Sequence, residues 1–309
     1  MSSESPPPGE GILIRSVYYL YLLVAFVARS LPERFAYRCA HWAARVKARV
    51  TSRQAEVVAR NLARVIGEPP GSPKVRELTV AAYESYGRYW METFRYAEKG
   101  PEFWMERFQL EGAEHLDRAL AGGRGAVILV GHCGNWDAAG AYLSVTGRPA
   151  VAVAEVLRPR RLYDFFVSHR ARLGMTIRPA NKGVTRTLLG DLERGGLVAI
   201  LGDRDLRGSG PQVTFFGETA TFAGGPASLA LRARVPLLVG AVHSHVFPDG
   251  RRGWRGRITE PIALPEGSGR EAIGSLTQEA ASRLEALIEE HPEEWHVFGP
   301  FWLADRKAP

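Results

Sequence analysis

Cysteine is scarce in this sequence. The 309 residues include two cysteines, Cys39 and Cys133, which stand far apart in the chain. So little cysteine excludes a disulfide framework and favours a reducing compartment. Cys133 directly follows His132, which suggests a thiol nucleophile, but adjacent residues at the end of a strand point to opposite sides. We therefore do not expect cysteine chemistry.

Several familiar motifs are missing as well. The sequence has no zinc-finger spacing, basic leucine pattern, aromatic ribonucleoprotein motif, P-loop or internal repeat, and no G-x-S-x-G elbow of an α/β-hydrolase. Charge is less selective: 40 basic and 33 acidic residues give a formal net charge of +7, which suits an anionic membrane surface, a phosphate-bearing cofactor or nucleic acid. Because no motif supports nucleic acid, we expect no nucleic-acid partner.

The apolar stretch Gly11–Leu31 is short for a membrane span. Its uncharged core, Ser16–Ala28, falls well below the about 20 residues that a spanning helix needs, and Arg15 and Arg29 bracket it. No small-residue cleavage site follows, which disfavours a secretory signal. A buried core helix would explain the same pattern. We favour an interfacial or shallowly inserted helix, because the run continues into a basic, Trp-bearing amphipathic segment.

The rest of the first hundred residues has a helical pattern. Met1–Glu10 is polar and contains three consecutive prolines, so we expect a disordered lead. Pro32–Val50 carries apolar residues at helical spacing with Arg and Lys between them, and Val75–Tyr96 places aromatic residues on one side. Residues 11–100 are therefore predicted to be helical, to cover a sheet and to face a membrane.

From Phe108 the pattern changes to alternating strands and helices. The predicted strands are Ala126–Val130, Ala150–Val156, Thr176–Arg178, Leu197–Leu201, Pro236–His243 and an edge strand at Trp254–Ile258, with a long loop from Gly202 to Phe222. Strands separated by helices predict an α/β fold: a mixed, mainly parallel sheet with helices on both faces. We expect residues 11–309 to form a single domain whose α/β catalytic part spans residues 101–309.

The chain is organised around Gly125–Gly140, G-A-V-I-L-V-G-H-C-G-N-W-D-A-A-G. A Gly-bounded apolar run is typical of a strand buried on both faces. Ligands of open α/β sheets bind beyond the carboxyl ends of the strands, where this run places His132. Asp137 follows at the start of a helix and is expected to hold the imidazole, making His132 a general base. A purely structural His–acid pair is the alternative.

Charged residues also follow two later strands. Arg170 stands in an arginine-rich helix suited to phosphate or carboxylate recognition, with a solvated basic face as the alternative. The predicted strand Leu197–Leu201 is followed closely by Asp203, Arg204 and Asp205. These residues should border the same crevice as His132. They fit either a metal site or a salt-bridged loop support. With no histidine or further acid at ligand spacing, we favour the support and expect no metal.

The turn H-C-G-N-W-D, with His132 and Asp137, resembles the H-x-x-x-x-D/E motif of the bacterial lysophospholipid acyltransferase superfamily. More narrowly, it is similar to the branch that holds the lipid A late acyltransferases and the actinobacterial phosphatidylinositol mannoside acyltransferases. Other segments follow in the family's order: E-x-x-x-P at Glu155, an R-x-x-x-G-M-like ending at Arg170, D-x-D before Phe-Phe-Gly and a Gly-Pro helix start, and P-E-x-W. The resemblance covers Val17–Trp302 and is closer to the mannoside branch.

The resemblance implies an acyltransferase that uses acyl-CoA as co-substrate and no other cofactor. A long fatty acyl chain would pass to a mannose hydroxyl of a phosphatidylinositol mannoside, a membrane glycolipid. His132 would act as base, oriented by Asp137. Glu155 and Arg170 map to active-site positions, and Arg170 would contact the acyl carrier's phosphate or the developing thioester charge.

Other positions are expected to meet substrate. Asp203 and Arg204 border the crevice, and Glu218 is a candidate for contacting a polyol acceptor. The reaction would take place at the cytoplasmic face of the plasma membrane, with the protein peripheral or monotopic on an anionic surface. Two alternatives stay open: a lipid A-type or lysophospholipid acyltransferase using acyl carrier protein, and a non-catalytic lipid-binding membrane protein.

Overall fold

Helices form residues 12–107 with short connections between them, and strands alternate with helices after them. The computed structural model describes residues 12–205 and 208–306, with side chains from Tyr18 onward. The helices are α1 (Ile12–Ser30), α2 (Glu33–Val50), α3 (Ser52–Ile66), α4 (Pro73–Tyr96), α5 (Pro101–Arg107), α6 (Ala113–Ala121), α7 (Trp136–Val145), α8 (Arg160–Arg172), α9 (Val184–Glu193), α10 (Gly225–Ala233), α11 (Arg270–Glu289) and α12 (Leu303–Arg306), with a 3₁₀ turn at Pro292–Glu294. The strands are β1 (Phe108–Glu111), β2 (Ala126–Val130), β3 (Ala150–Ala154), β4 (Thr176–Pro179), β5 (Leu197–Leu201), β6 (Gln212–Phe215), β7 (Glu218–Thr221), β8 (Leu237–Val246) and β9 (Arg252–Ile258).

Local sequence signals set several helix boundaries. Ser72 caps α4 by accepting from the Val75 N–H, and Asn135 caps α7 through Oδ1, which accepts from the Ala138 N–H at 3.1 Å. Each cap satisfies one of the N–H groups that a helix start leaves free. The C-terminal end of α3 is set by Gly67. Its φ of 66° lies in the left-handed region, which glycine adopts without strain because it has no Cβ.

The main sheet has the order β1-β9-β8-β2-β5-β3-β4. The β8–β9 pair is antiparallel and the other pairs are parallel, which confirms the predicted mixed, mainly parallel sheet. The prediction of an edge strand at Trp254–Ile258 is wrong. β1 pairs in parallel with β9, so that Phe108 lies opposite Trp254 and β1 forms the edge.

The segment predicted as a long loop, Gly202–Phe222, contains the antiparallel hairpin β6–β7. Phe216 and Gly217 form its two-residue turn with φ of 47° and 78°. Positive φ at both turn residues matches the right-handed twist of hairpin strands. Phe215 and Phe222 are fully buried and anchor the hairpin to the core, so burial rather than strand length stabilises it.

Helices cover both faces of the sheet, as predicted. On one face, Leu116 of α6 and Leu143 of α7 pack with Ile128 of β2. On the other, Leu188 of α9 packs in one cluster with Leu129 of β2 and with side chains of α10 and α11. Successive residues of β2 therefore point into two different cores, which explains its unbroken apolar sequence.

The N-terminal helices pack around α4. Tyr21 of α1 contacts Trp90 and Phe94 of α4 edge to face, and Tyr37 of α2 donates to Glu92 of α4 at 2.8 Å. None of the helices in the described residues combines the length and apolarity needed to cross a bilayer. The expected disordered lead, Met1–Glu10, lies outside the described residues, and the single-domain assignment stays a prediction.

Candidate active site

The chain leaves the neighbouring strands β2 and β5 in opposite directions. From β2 it passes through α7 to β3 on one side, and from β5 it passes through α10 to β8 on the other. Such a topological switch point is where open α/β sheets bind ligands. His132 comes just after β2 and Asp203 just after β5. Each strand therefore brings one polar side chain to the same crevice.

Asp203 holds the His132 side chain. The Nδ1 of His132 and Oδ1 of Asp203 are 2.5 Å apart, while Asp203 Oδ2 accepts from the His132 backbone N–H and the Trp295 indole N–H, each at 3.0 Å. Burial would raise the pKa of Asp203, but the charge of His132 and these hydrogen bonds outweigh burial and lower it. With Nδ1–H given to an ionised Asp203, Nε2 is the ring nitrogen available to accept a proton.

The predicted contact between Asp137 and His132 is wrong. Asp137 is buried in the first turn of α7, where Oδ1 accepts from Arg170 Nε at 2.8 Å and Oδ2 accepts from the Tyr89 hydroxyl at 3.2 Å. Burial opposes the charge of Arg170, but the charge of Asp137 outweighs burial and the pKa of Arg170 is raised. Asp137 thus joins α7 to α4 and α8, and the acid that reaches His132 comes from β5.

The turn after His132 explains this difference. Gly134 has a φ of 52°, and a Cβ at this position would lie 2.3 Å from the Val242 carbonyl oxygen. The chain therefore bends tightly against β8 before α7 begins, and Asp137 emerges against α8. Parallel pairing of β2 with β5 brings Asp203 to the imidazole without any such turn.

A C-terminal segment fixes the His132 loop from behind. The His296 backbone N–H donates to the His132 carbonyl at 2.7 Å, and the Gly134 N–H donates to the Glu294 carbonyl at 2.9 Å. The His296 ring is within 2.9 Å of the Ser85 hydroxyl, and burial lowers its pKa to about 3, which keeps the ring neutral. Trp295 and His296 were not among the predicted site residues. The P-E-x-W segment, which ends at Trp295, was the sequence feature that pointed to this region.

Cys133 does not take part in the site. Its side chain is fully buried, and burial, with Asp203 and Glu294 nearby, raises the pKa of the thiol well above its ordinary value. A protonated, inaccessible thiol is a poor nucleophile, in agreement with the expectation that cysteine chemistry is absent.

An apolar cavity of about 100 Å³ lies between α7 and the sheet. Its wall crosses six neighbouring strands and includes Leu110, Ile128, Ala152, Ala199, Gly240 and Ile258, one from each. At about 4.8 Å between strands, this wall extends over about 24 Å. Small residues in the middle strands leave the space. The wall of this cavity is thus predominantly apolar across most of the sheet.

The polar end of this cavity belongs to α7 and α8. Trp136, Asp137 and Arg170 form part of the wall. Trp136 stands beside His132, with ring centroids 5.5 Å apart and ring planes at 75°. The polar part of the cavity wall therefore lies on the side of Trp136 that is next to His132.

A second, wider cavity opens at the carboxyl ends of β3 and β5. Glu155, Arg204 and Arg270 are among its wall residues, and Val153 and Leu201 border both cavities. The structure therefore places two of the predicted substrate-binding residues, Glu155 and Arg204, together and next to the apolar cavity.

Glu218 lies elsewhere. It begins β7 and its carboxylate accepts from Arg64 Nε of α3 at 2.7 Å, and it is not among the wall residues of either cavity. The same guanidinium also binds Asp305 at 2.9 Å. The position of Glu218 is explained by this surface ion-pair network. Within residues 12–205 and 208–306, no three His, Cys, Asp or Glu side chains gather as a metal-binding group.

The fold and site together define the class of protein: an α/β protein whose sheet places a His–Asp pair beside Trp136, in the wall of an apolar cavity. Residues 11–304 match the bacterial lipid A biosynthesis acyltransferase family. The chain belongs to this family, and acyl transfer is its class of activity.

Curated relatives narrow the comparison. A phosphatidylinositol mannoside acyltransferase of Mycobacterium tuberculosis (strain CDC 1551 / Oshkosh) is 34% identical over 305 residues, which cover 96% of this chain and 92% of the relative. That of Mycolicibacterium smegmatis (strain ATCC 700084 / mc(2)155) is 36% identical over 282 residues, covering 90% and 89%. The solved 1-acyl-sn-glycerophosphate acyltransferase PlsC of Thermotoga maritima aligns with 83% of this chain and 99% of its own at 14% identity and a TM-score of 0.39.

Replacing Asp137 with Asn is expected to destabilise the fold by about 3–5 kcal/mol, because it leaves the Arg170 charge buried without its partner. The double variant Asp137→Asn/Arg170→Met should recover much of that loss. Urea unfolding of the wild type, both single variants and the double variant measures the coupling. Additive losses in the double variant would show that the two side chains do not stabilise each other.

Proposed function

We propose that this protein transfers a long fatty acyl chain from acyl-CoA to a mannose hydroxyl of a phosphatidylinositol mannoside. The observation that carries the proposal is the His132–Asp203 pair beside Trp136, a wall residue of the apolar cavity. The similarity to two phosphatidylinositol mannoside acyltransferases, with 34% and 36% identity over most of the chain, supports the choice of acceptor.

His132 acts as general base. As the mannose hydroxyl oxygen bonds to the thioester carbonyl carbon, its proton moves to Nε2 of His132, and Asp203 stabilises the imidazolium that forms. The carbonyl oxygen takes up the electron pair of the C=O bond. When the C=O bond reforms, the C–S bond breaks and the CoA sulfur receives the proton from His132. No acyl-enzyme is formed, which agrees with the burial of Cys133.

The acyl tail lies in the apolar cavity. Each methylene transferred from water to such a wall contributes about 0.8 kcal/mol. A long chain therefore supplies ample binding energy without polar contacts along its length. This accounts for a cavity whose wall is apolar except near α7 and α8 and at Arg257.

The acceptor glycan occupies the second cavity. Sugar hydroxyls both donate and accept hydrogen bonds, and the wall offers the Glu155 carboxylate as acceptor and the Arg204 and Arg270 guanidinium groups as donors. Because this cavity borders the apolar one at Val153 and Leu201, a mannose placed here is close to the head of the acyl chain. Arg170, at the other side of the junction, is proposed to contact the acyl donor.

Helices α1 and α2 attach the protein to the cytoplasmic face of the plasma membrane as a peripheral or monotopic protein. Seven of their apolar side chains are between 55% and 74% exposed: Tyr19, Leu20, Leu23, Phe26, Phe35, Trp42 and Val50. Exposed arginines, including Arg34 and Arg38, stand between them on α2. Apolar residues rimmed by cations suit the headgroup region of an anionic bilayer.

The first experiment is acyl transfer from palmitoyl-CoA to a panel of purified glycolipids. We expect product on a phosphatidylinositol mannoside, loss of product to background in His132→Ala, and a rate about 10²- to 10⁴-fold lower in Asp203→Asn. His115→Ala and Asp117→Asn, at a distant surface helix, are the matched controls and should keep full activity.

Three outcomes would contradict this proposal. Full activity of His132→Ala would exclude His132 as the general base. Transfer only from acyl carrier protein to lipid A-type or lysophospholipid acceptors would assign the chain to the neighbouring branch of the family. Absence of transfer from every donor would favour a non-catalytic lipid-binding protein.

Filling one end of the apolar cavity should shorten the accepted acyl chain. In Ala152→Phe, a large ring occupies the β3 end of the wall, so transfer from palmitoyl-CoA is expected to fall at least about tenfold relative to transfer from a shorter acyl-CoA. Ala152→Ser changes little volume and serves as control. The measurement is kcat/KM over a series of chain lengths, and an unchanged length profile in Ala152→Phe would place the tail elsewhere.

Membrane attachment can be measured with vesicles. The wild type should sediment with vesicles that contain anionic phospholipid, and binding should weaken with added salt. The double variant Phe26→Ser/Trp42→Ser is expected to bind at least about tenfold more weakly, because two large apolar side chains are lost from the contact. Val80→Ser, on α4, is the control. Equal binding of both variants would exclude α1 and α2 as the attachment surface.

A further inference from the structure

The indole N–H of Trp136 has no hydrogen-bond partner among the described residues and is shielded from solvent. Four other tryptophans, at positions 104, 254, 295 and 302, donate to Lys99, Glu92, Asp203 and Phe215 at 2.8–3.2 Å. A buried donor without an acceptor is costly and rare in native proteins. The exception therefore requires an explanation at this particular tryptophan.

Trp136 stands where a ligand is expected. Its ring belongs to the wall of the apolar cavity and lies edge to face with His132 at 5.5 Å. The other polar groups of that end of the wall, Asp137 and Arg170, are bonded to each other at 2.8 Å. Trp136 Nε1–H is thus an unpartnered donor on a side chain that contacts His132 and belongs to a residue of the cavity wall.

The ring itself is firmly held. It packs against Tyr89 with centroids 4.2 Å apart and ring planes tilted by 35°, and Tyr89 in turn donates to Asp137. A donor fixed before the ligand arrives costs no reorganisation when charge develops on the ligand. The indole N–H therefore gives this position a fixed hydrogen-bond donor that a phenyl ring would lack.

We propose that Trp136 Nε1–H donates to the carbonyl oxygen of the acyl thioester and stabilises the negative charge on that oxygen in the transition state. This assignment rests on the proposed acyl transfer. When the acceptor oxygen bonds to the carbonyl carbon, the electron pair of the C=O bond moves to the carbonyl oxygen and the acceptor proton moves to His132. The pair returns as the C–S bond breaks and the sulfur takes that proton. Trp136 keeps its own proton throughout.

The test compares Trp136→Phe, which keeps a ring and removes the N–H, with Trp104→Phe. Trp104 is buried away from the cavity and donates to Lys99. In Trp136→Phe we expect kcat to fall about 10²-fold, with KM for palmitoyl-CoA nearly unchanged because the tail still fills the cavity. Trp104→Phe is expected to retain the wild-type kcat.

Two unreactive analogues isolate the carbonyl contact. One is the thioether S-hexadecyl-CoA, which lacks the carbonyl, and the other is the ketone in which a methylene replaces the sulfur of palmitoyl-CoA. The wild type and Trp104→Phe should prefer the ketone, and Trp136→Phe should lose that preference by about tenfold. A ring that acted only in packing would change both affinities alike. Trp136→Tyr provides a second aromatic replacement if the Phe variant fails to fold.

The outcomes separate this inference from the proposed function. An unchanged kcat and an unchanged ketone-to-thioether ratio in Trp136→Phe would overturn the role of Trp136 while His132→Ala is inactive and the wild type transfers acyl groups. A wild type that transfers no acyl group would overturn the proposed function, and the inference with it, whatever the two analogues do.

Discussion

The hydrogen bond between His132 and Asp203 depends on the parallel pairing of β2 with β5, and much of the site depends on that bond. Five residue pairs align the two strands from Ala126–Leu197 to Val130–Leu201, so that the chain reaches both side chains at the same height of the sheet. Asp203 is ionised in a fully buried position because His132 and Trp295 donate to it. A carboxylate buried without such donors would take up a proton, and it could then no longer accept a hydrogen bond from an imidazole N–H at that oxygen.

The same strands form the space for a ligand. In β2, Val127 and Leu129 close the larger core on one face, while Ile128 and Val130 face the apolar cavity on the other. Space remains there because the adjoining strands present Ala152, Ala199 and Gly240 instead of large side chains. Residue size along one face of the sheet, rather than any loop, thus determines the shape of the cavity.

Much of this arrangement could be predicted from the sequence. The apolar run Ala126–Val130 could only be a strand buried on both faces, and the rule for open α/β sheets placed His132 and Asp203 in one crevice. The pairing of His132 with Asp137 failed because closeness in the chain was taken for closeness in space. The hairpin at Gln212–Thr221 also escaped prediction, since its strands are short and burial of Phe215 and Phe222 stabilises it.

The sequence by itself determined the buried strands of the main sheet, the alternation with helices, the small residues and the chemical groups, because these follow from local periodicity and side-chain type. Only the tertiary structure decided which acid holds the imidazole, that Trp295 and His296 secure its loop, and that Trp136 keeps an unused donor beside it. These facts depend on distances between residues far apart in the chain. Strand order and helix packing set those distances, and no local pattern encodes them.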